Sequence, residues 1–200
     1  MASERPTEPT TDRRKSDQTR DRILAAARNT FARKGFSGTT IADITGPADV
    51  TRANFYYYFS DKQQLFIELG TATYLEVLGV VESFSDLTSP ASRAEISAWL
   101  DRYFEYLDRN GAFVIRSTED GPADRRFRAT AARSHRRTAQ ALGDRIAKIA
   151  ADPPEVDSHA MGLAIMAMLE HTWLLARGTG GLTETAAKDA LCEMIYRAVR

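Results

Sequence analysis

The most informative stretch of this chain is residues 39–62, TTIADITGPADVTRANFYYYFSDK. The pattern predicts a short helix, a tight break at residues 48–50, a second short helix after Thr51 and a new helix start at residues 60–62. Two short helices joined by a turn of a few residues form a helix-turn-helix, and its second helix is sized for the major groove of DNA. We therefore expect this chain to carry a DNA-binding element.

The second of these helices carries side chains that suit DNA recognition. Arginine and amide groups pair with base edges, while hydroxyls and phenols donate to phosphate oxygens. A helix spreads four consecutive aromatic residues over all its sides, so they cannot all belong to the core. We expect Phe55, Tyr58 and Phe59 to pack inward. The DNA contacts are expected from Thr40, Thr51, Arg52, Ala53, Asn54, Tyr56, Tyr57 and Lys62.

Around this motif, residues 20–65 resemble the N-terminal domain of tetracycline-repressor (TetR) family transcription regulators. The resemblance rests on the joint spacing of Ile23-Leu24, Ala26-Ala27, Phe31, Gly35, Thr39-Thr40, Ile44, Ala48, Val50-Thr51, Tyr56, Tyr58-Phe59, Lys62 and Leu65. It covers the first third of the chain by motif, and the remainder matches in layout alone. The resemblance implies a homodimeric repressor that leaves a palindromic DNA operator when a small-molecule effector binds its body.

Three residues depart from the family pattern. Asp49 stands in the turn where the family usually has glycine, and aspartate tolerates the left-handed conformation better than most residues. Ala53 replaces a common glycine, which should favour helix. Pro47 follows Gly46 inside the first helix of the motif and lacks a backbone donor, so we expect this helix to end early or to distort.

The hydrophobic pattern predicts helices along the whole chain, and no stretch shows the convincing alternation expected of a strand. We predict an all-α fold of about nine helices, in which a three-helix helix-turn-helix head joins a larger helical bundle. The expected segments are a disordered tail over 1–16, a DNA-binding head over 17–65, and a ligand-binding and dimerisation body over 66–200. The basic residues 13–15 are either a solvated linker or an arm that contacts DNA. Residues 110–111, Asn-Gly, are expected to separate predicted helices 5 and 6.

Composition excludes several classes of protein. The single cysteine, Cys192, rules out a disulfide or a multi-thiolate metal cluster within one chain. The N-terminus lacks the apolar core of a signal peptide, and no apolar run approaches the length of a membrane span, which favours a cytoplasmic protein without membrane contact.

The formal net charge is zero, although residues 1–65 hold eleven basic and eight acidic residues. No phosphate loop, zinc-protease motif or nucleophile elbow is present, so we expect no enzyme, cofactor or metal.

The body is expected to supply a dimer interface and a ligand pocket. Predicted helix 8 contains MGLAIMAMLEHTWLLA and is apolar almost all round. We expect it to form the dimer face together with predicted helix 9, the alternative being a core helix of a monomer. Helical spacing predicts that several large side chains of the body point inward, where they either line an apolar pocket or form the core. These residues are Trp99, Tyr103, Phe104, Phe113, Met166, Met168, His171 and Trp173.

Predicted helix 7, residues 123–151, is strongly basic. Between Pro122 and Ala150 there are eight basic residues against two acidic ones. The alternatives are a solvated face, a site for an anionic ligand such as a carboxylate or an acyl-CoA phosphate, and a surface for an acidic partner. A helical small-molecule-binding protein and a transcriptional activator with the same head are the alternative functions for the chain as a whole.

Overall fold

The computed structural model describes residues 11–152, 155–179 and 181–200, with side chains from Lys15 onward. Within these ranges the fold is all-α, as predicted, and its eight helices are α1 (Thr11–Lys34), α2 (Ile41–Ala48), α3 (Arg52–Tyr58), α4 (Lys62–Glu82), α5 (Arg93–Glu119), α6 (Arg125–Ile149), α7 (Ser158–Arg177) and α8 (Glu184–Ala198). A 3-10 turn, Ser83–Asp86, follows α4. Helices α1–α3 form the head, α4 leads into the body, and α5–α8 complete the body.

An aromatic core holds the head together. Phe31 of α1 meets Phe66 of α4 edge-on, with the ring centroids 4.9 Å apart. Phe55 of α3 and Phe59, which follows α3, are buried in the same cluster. The cluster extends beyond the predicted boundary at residue 65, because it also contains Phe113 of α5. The head is therefore packed directly onto the body.

Helix α2 passes through Pro47, so the expectation of an early end is wrong. Pro47 cannot donate a hydrogen bond to the carbonyl of Asp43, four residues earlier. That carbonyl lies 3.3 Å from the hydroxyl of the buried Thr30 of α1, whose closer acceptor is the carbonyl of Ala26 at 2.7 Å. Asp49 ends the helix in the left-handed conformation (φ 52°, ψ 52°), and its N–H donates to the Gly46 carbonyl. The turn therefore forms at Asp49, as predicted.

Helix α1 begins at Thr11, whereas the sequence predicted a disordered tail up to residue 16. That expectation is wrong for residues 11–16, and its remainder, residues 1–10, lies outside the described residues. The first turns of α1 gain a tertiary contact, because Ser16 Oγ lies 3.2 Å from the hydroxyl of Tyr58. The basic residues 13–15 accordingly continue the helix and are not a linker, while their contact with DNA stays a prediction.

Helix α5 is continuous from Arg93 to Glu119, so the predicted break between helices 5 and 6 is wrong. Asn110 is buried, and its amide donates to the carbonyl of Tyr106 at 3.2 Å and to Glu76 Oε2 at 2.9 Å. Gly111 makes room for an aromatic ring, because a Cβ there would lie 2.6 Å from Trp173 Cη2. Both residues therefore serve packing inside a helix, although in sequence they resemble a turn.

Helix α4 connects the two parts of the molecule. The stretch Lys62–Asp86 is long and apolar enough to cross a membrane by length and composition alone, so the expectation that no such run exists is wrong on that criterion. Its buried side chains serve two cores, since Leu65 packs in the head cluster and Val81 in the body cluster. A helix that contributes to two cores is apolar along most of its length for this reason.

Helices α6 and α7 cross where two glycines let their backbones meet. A Cβ on Gly143 would lie 1.7 Å from the carbonyl oxygen of Ser158, and a Cβ on Gly162 would lie 1.8 Å from that of Ala139. No side chain fits at either position without moving a helix backbone. These two residues therefore fix how α7 lies on α6.

Gly162→Ala is expected to lower the free energy of unfolding by about 2 kcal/mol or more, because the added methyl group forces the two helices apart. Gly79→Ala is the matched control, since this helical glycine is exposed and an added Cβ would meet nothing within 4 Å. Alanine there is expected to stabilise the protein by up to ~1 kcal/mol. Urea unfolding measures both values, and equal stability of the two variants would contradict the close crossing.

Candidate nucleic-acid interface

Helix α3 has a buried side and an exposed side with different chemistry. Phe55 is fully buried and Phe59 is 1% exposed, whereas Tyr57 is 78% exposed and Tyr56 45% exposed. The remaining predicted contact positions that lie on the surface are Thr51, Arg52, Ala53 and Asn54. The apolar rings therefore fix α3 to the head, and its polar side chains are left free to meet a partner.

Local contacts arrange the polar side chains of α3. The Thr51 hydroxyl caps the helix by accepting a hydrogen bond from the Asn54 N–H at 3.1 Å. Arg52 Nη2 donates to the Tyr56 hydroxyl at 3.2 Å, and its guanidinium carbon lies 5.6 Å from the centroid of the Tyr56 ring. Arg52 and Tyr56 are one turn apart, so together they present a donor-rich surface one helical turn long.

Thr40 is committed to the start of α2. Its hydroxyl accepts from the Asp43 N–H and donates to Asp43 Oδ2 at 2.8 Å, which completes a capping box. Lys34 donates to the other oxygen of the same carboxylate at 2.6 Å. These bonds hold the pKa of Asp43 well below its ordinary value, and the bond from Lys34 has the largest effect. Thr40 remains at the surface, but its hydroxyl proton already has an acceptor.

Lys62 lies at the junction between the head helices. Its ammonium donates to the carbonyls of Phe36 and Thr39, each at 2.7 Å, and stands 4.5 Å from the centroid of the Phe36 ring. An ammonium has three donors, so one is left for a phosphate. The predicted phosphate contact by Lys62 therefore competes with a structural role that the sequence did not reveal.

A polar cleft of about 270 Å³ borders α3 on the side of α1. It is lined by Lys15, Ser16, Thr19, Tyr57 and Tyr58. An ammonium, hydroxyls and phenols are the groups that bind phosphate oxygens. The cleft extends the polar surface of α3 towards the start of α1, and its one sign at the sequence level is the basic run 13–15.

Known proteins share this head. Residues 23–69 match the model of the family described as bacterial regulatory proteins, tetR family. The head of this chain is thus similar to proteins of the TetR family. The HTH-type transcriptional regulator YdgC of Bacillus subtilis is 29% identical over 99 residues, which are 48% of this chain and 51% of YdgC. The HTH-type transcriptional repressor NicS of Pseudomonas putida is 43% identical over 54 residues, 27% of this chain and 26% of NicS.

The TetR-family match extends over the body in fold only. The chain spans about half or less of the length of the two sequence relatives. Among solved structures, the transcriptional regulator FadR of Bacillus subtilis in complex with stearoyl-CoA superposes with a TM-score of 0.65 at 14% identity, over 90% of this chain and 99% of FadR. Such a low identity shows a shared fold alone. The matched residues 23–69 include the helix-turn-helix formed by α2 and α3.

The structure brings together most of the residues predicted for a ligand pocket. Buried in one body cluster are Trp99, Tyr103, Phe104, Met166 and Trp173, with Met168 packed at its edge. Phe113 is not among them, because it lies at the head end of α5 with its ring centroid 5.1 Å from that of Phe66. His171 is exposed, because it lies on the outer side of α7. These two residues therefore lie outside the cluster with which the sequence grouped them.

Polar groups inside this cluster were missed at the sequence level. The hydroxyl of Tyr103 is buried and has no hydrogen-bond partner among the described residues. Burial raises the pKa of Tyr103 and of Tyr106, and the nearby charge of Glu170 raises both further. Burial also raises the pKa of Glu170 to about 6. At the sequence level, the one signal for these polar groups was Glu170, a single acidic residue within the apolar stretch of α7.

An apolar groove of about 450 Å³ runs between α7 and α8. Its lining residues are Val156, Ala160, Met161, Ala164, Ile165, Met168, Met194, Ile195 and Ala198. Met194 is 55% exposed, and Leu163, Leu174 and Leu175 of α7 are also exposed. These are the helices predicted as 8 and 9 in the sequence. In the described part of the chain, no group of three or more His, Cys, Asp or Glu side chains is placed to hold a metal ion.

Glu170→Gln is expected to stabilise the protein above pH 6 and to have little effect at pH 4. The folded state raises the pKa of Glu170 from 4.5 to about 6, so the buried charge costs stability as the pH rises through this window. A shift of this size corresponds to a gain on the order of 2 kcal/mol for the neutral glutamine. Urea unfolding between pH 4 and 7.5 measures the gain, with the exposed Glu105→Gln as control. A gain of the same size at both ends of the range would contradict the buried charge.

Proposed function

We propose that this protein is a homodimeric repressor that binds a palindromic operator in the cytoplasm and is released by a small-molecule effector. The observation that carries the proposal is that helix α3 has two different sides. Phe55 is buried and anchors the helix, while the opposite, exposed side is polar and includes Arg52 and Tyr57. Arginine, amide, hydroxyl and phenol groups on a helix of this size suit the major groove and its flanking phosphates. The proposed contacts are Thr40, Thr51, Arg52, Ala53, Asn54, Tyr56, Tyr57 and, through its remaining donor, Lys62.

The apolar groove between α7 and α8 supports dimerisation. A surface of exposed methionine and leucine side chains is costly in water, and it is covered when a second copy packs its own α7 and α8 against it. A two-fold axis through this face places two α3 helices on the same side of a DNA duplex. Two such helices read half-sites one helical turn apart, about 34–36 Å, and this spacing requires a palindromic operator.

The proposed effector binds within the body cluster. The unpartnered hydroxyl of Tyr103 lies in this cluster, where its ring centroid is 5.3 Å from that of Trp99, and the charge of Glu170 is near enough to raise the pKa of Tyr103. Aromatic walls with a few polar groups are typical of small-molecule sites. A hydrogen-bond donor or a positive charge on the effector would satisfy both groups. FadR, a protein of the same fold, forms a complex with stearoyl-CoA, which supports a small-molecule ligand for a protein of this fold.

Helix α5 supplies the connection between effector and head. Its first half contributes Trp99 and Tyr103 to the body cluster, and its end carries Asp120, whose carboxylate accepts hydrogen bonds from Ser37 N–H at 3.1 Å and from Ser37 Oγ. The Phe36 N–H donates to the carbonyl of Asp120 at 3.2 Å. An effector that favours a different position of α5 therefore moves the loop before α2, and with it the spacing of the two heads.

Duplexes selected from a random pool are expected to give a palindromic consensus whose affinity for the protein falls steeply with salt. Tyr57→Ala is expected to lower the affinity at least tenfold while stability changes by less than ~0.5 kcal/mol, because the side chain is exposed. Phe55→Ala is the contrasting variant, with a loss of about 3–5 kcal/mol in stability. Fluorescence anisotropy and urea unfolding provide the readouts.

The absence of any enriched sequence, with an affinity that Tyr57→Ala does not change, would overturn the regulator proposal. The alternative of a helical small-molecule-binding protein would then be favoured. Operator binding with increased transcription from the regulated promoter would instead identify an activator with the same head.

Met194→Glu is expected to convert the dimer into monomers, because it places a charge inside a desolvated apolar interface. Leu75→Glu is the matched control, since Leu75 is 60% exposed but lies on α4 outside the groove. Light scattering after size-exclusion chromatography measures the mass of each variant. Operator affinity is expected to fall with the loss of the dimer. Equal masses for the two variants would exclude the groove as the interface.

A further inference from the structure

Six arginines form one face on the first half of α6: Arg125, Arg126, Arg128, Arg133, Arg136 and Arg137. We refer to them as the arginine face. All six are exposed, and no acidic residue occurs between residues 125 and 137. At 3.6 residues per turn they fall within a sector of about 180°, along roughly 18 Å of helix. The opposite sector holds Phe127, which packs against Phe66 with their ring centroids 5.6 Å apart.

The charge of the arginine face is not neutralised within the described residues. No ion pair there involves any of the six, whereas arginines elsewhere in the body such as Arg109 and Arg177 contact carboxylates at 2.5–2.7 Å. The chain as a whole carries no net charge. A compact positive surface on a neutral protein concentrates the field at one place, and such a field attracts polyanions.

The arginine face lies at the end of the body nearest the head. Asp120, five residues before α6, holds Ser37 by two hydrogen bonds, and Ser37 lies three residues before Thr40, the N-cap of α2. The second half of α6, from Thr138 onward, is buried against the rest of the body. The exposed arginines are therefore confined to the part of α6 that adjoins the DNA-binding head.

We propose that the arginine face binds the phosphate backbone of DNA that flanks the half-site contacted by α3. A convex half-cylinder of arginines cannot enclose a small anion, but it matches a linear polyanion such as a DNA strand. DNA is also the polyanion that this protein binds through its head. The inference rests on the proposed function, since it requires an operator-bound protein. Contacts of this kind add affinity without sequence preference.

The test uses the selected operator in two forms, a short duplex that ends at the half-sites and a long duplex with about 15 extra base pairs on each side. The wild-type dimer is expected to bind the long form roughly tenfold more tightly at low salt. Its salt slope on the long form should be steeper by about 0.9 for each additional phosphate contact. Replacing all six arginines by glutamine, which is similar in helix propensity, should abolish both differences.

Two further variants separate local contact from general charge. Replacing the six arginines by lysine keeps the charge and should retain most of the gain from the flanks. The triple variant R102Q/K148Q/R200Q removes exposed charges elsewhere and should retain the gain in full. Circular dichroism confirms that each variant is folded.

Equal affinity of the wild type for the short and long duplexes, or an undiminished gain in the glutamine variant, would overturn the inference and leave an acidic protein as the partner to test. Failure of the wild type to bind either duplex would instead contradict the proposed function itself.

Discussion

The packing of four phenylalanine rings at the junction of head and body is the contact on which the rest of the structure depends. Phe31 and Phe66 belong to the head and its connecting helix, while Phe113 and Phe127 come from α5 and α6, and neighbouring rings lie 4.9–6.4 Å apart. Because the rings come from four helices, the head cannot tilt without disturbing α5 and α6. The same cluster anchors α3 through Phe55 and Phe59, and so it determines both where the polar surface of α3 points and how a change in the body reaches it.

The polar groups of the molecule follow from this arrangement. Around α3 they are exposed and held by short-range contacts, such as the cap by Thr51 and the pair of Arg52 with Tyr56. In the body the Tyr103 hydroxyl is buried without a hydrogen-bond partner among the described residues, and partial burial raises the pKa of Glu170 to about 6. Exposed donors suit a hydrated polyanion, while buried and unpaired groups favour a ligand that brings its own partner for them. Helix α5 connects the proposed effector site with the proposed DNA-binding surface.

Several residues whose sequence context predicted one role have another in the fold. Pro47 lies inside α2, where the carbonyl that loses its donor is 3.3 Å from the Thr30 hydroxyl of α1, and Gly111 admits Trp173 instead of ending a helix. Lys62 uses two of its three donors on the carbonyls of Phe36 and Thr39. In each case the deciding group comes from a residue at least 17 positions away in the chain. Local pattern rules cannot include such a group, because it becomes a neighbour only after folding.

The helix-turn-helix, the resemblance to TetR-family regulators, the all-α architecture and the outward-facing residues of α3 could all be predicted from the sequence. These properties depend on helical periodicity, capping residues and short-range spacing, all of which are local. The packing of distant helices places Phe113 in the head core and His171 outside the body cluster, partly buries Glu170, and leaves the six arginines of the arginine face without ion pairs in the described part of the chain. Burial and charge pairing depend on which distant helices pack together. The spacing of residues along one helix does not contain that information.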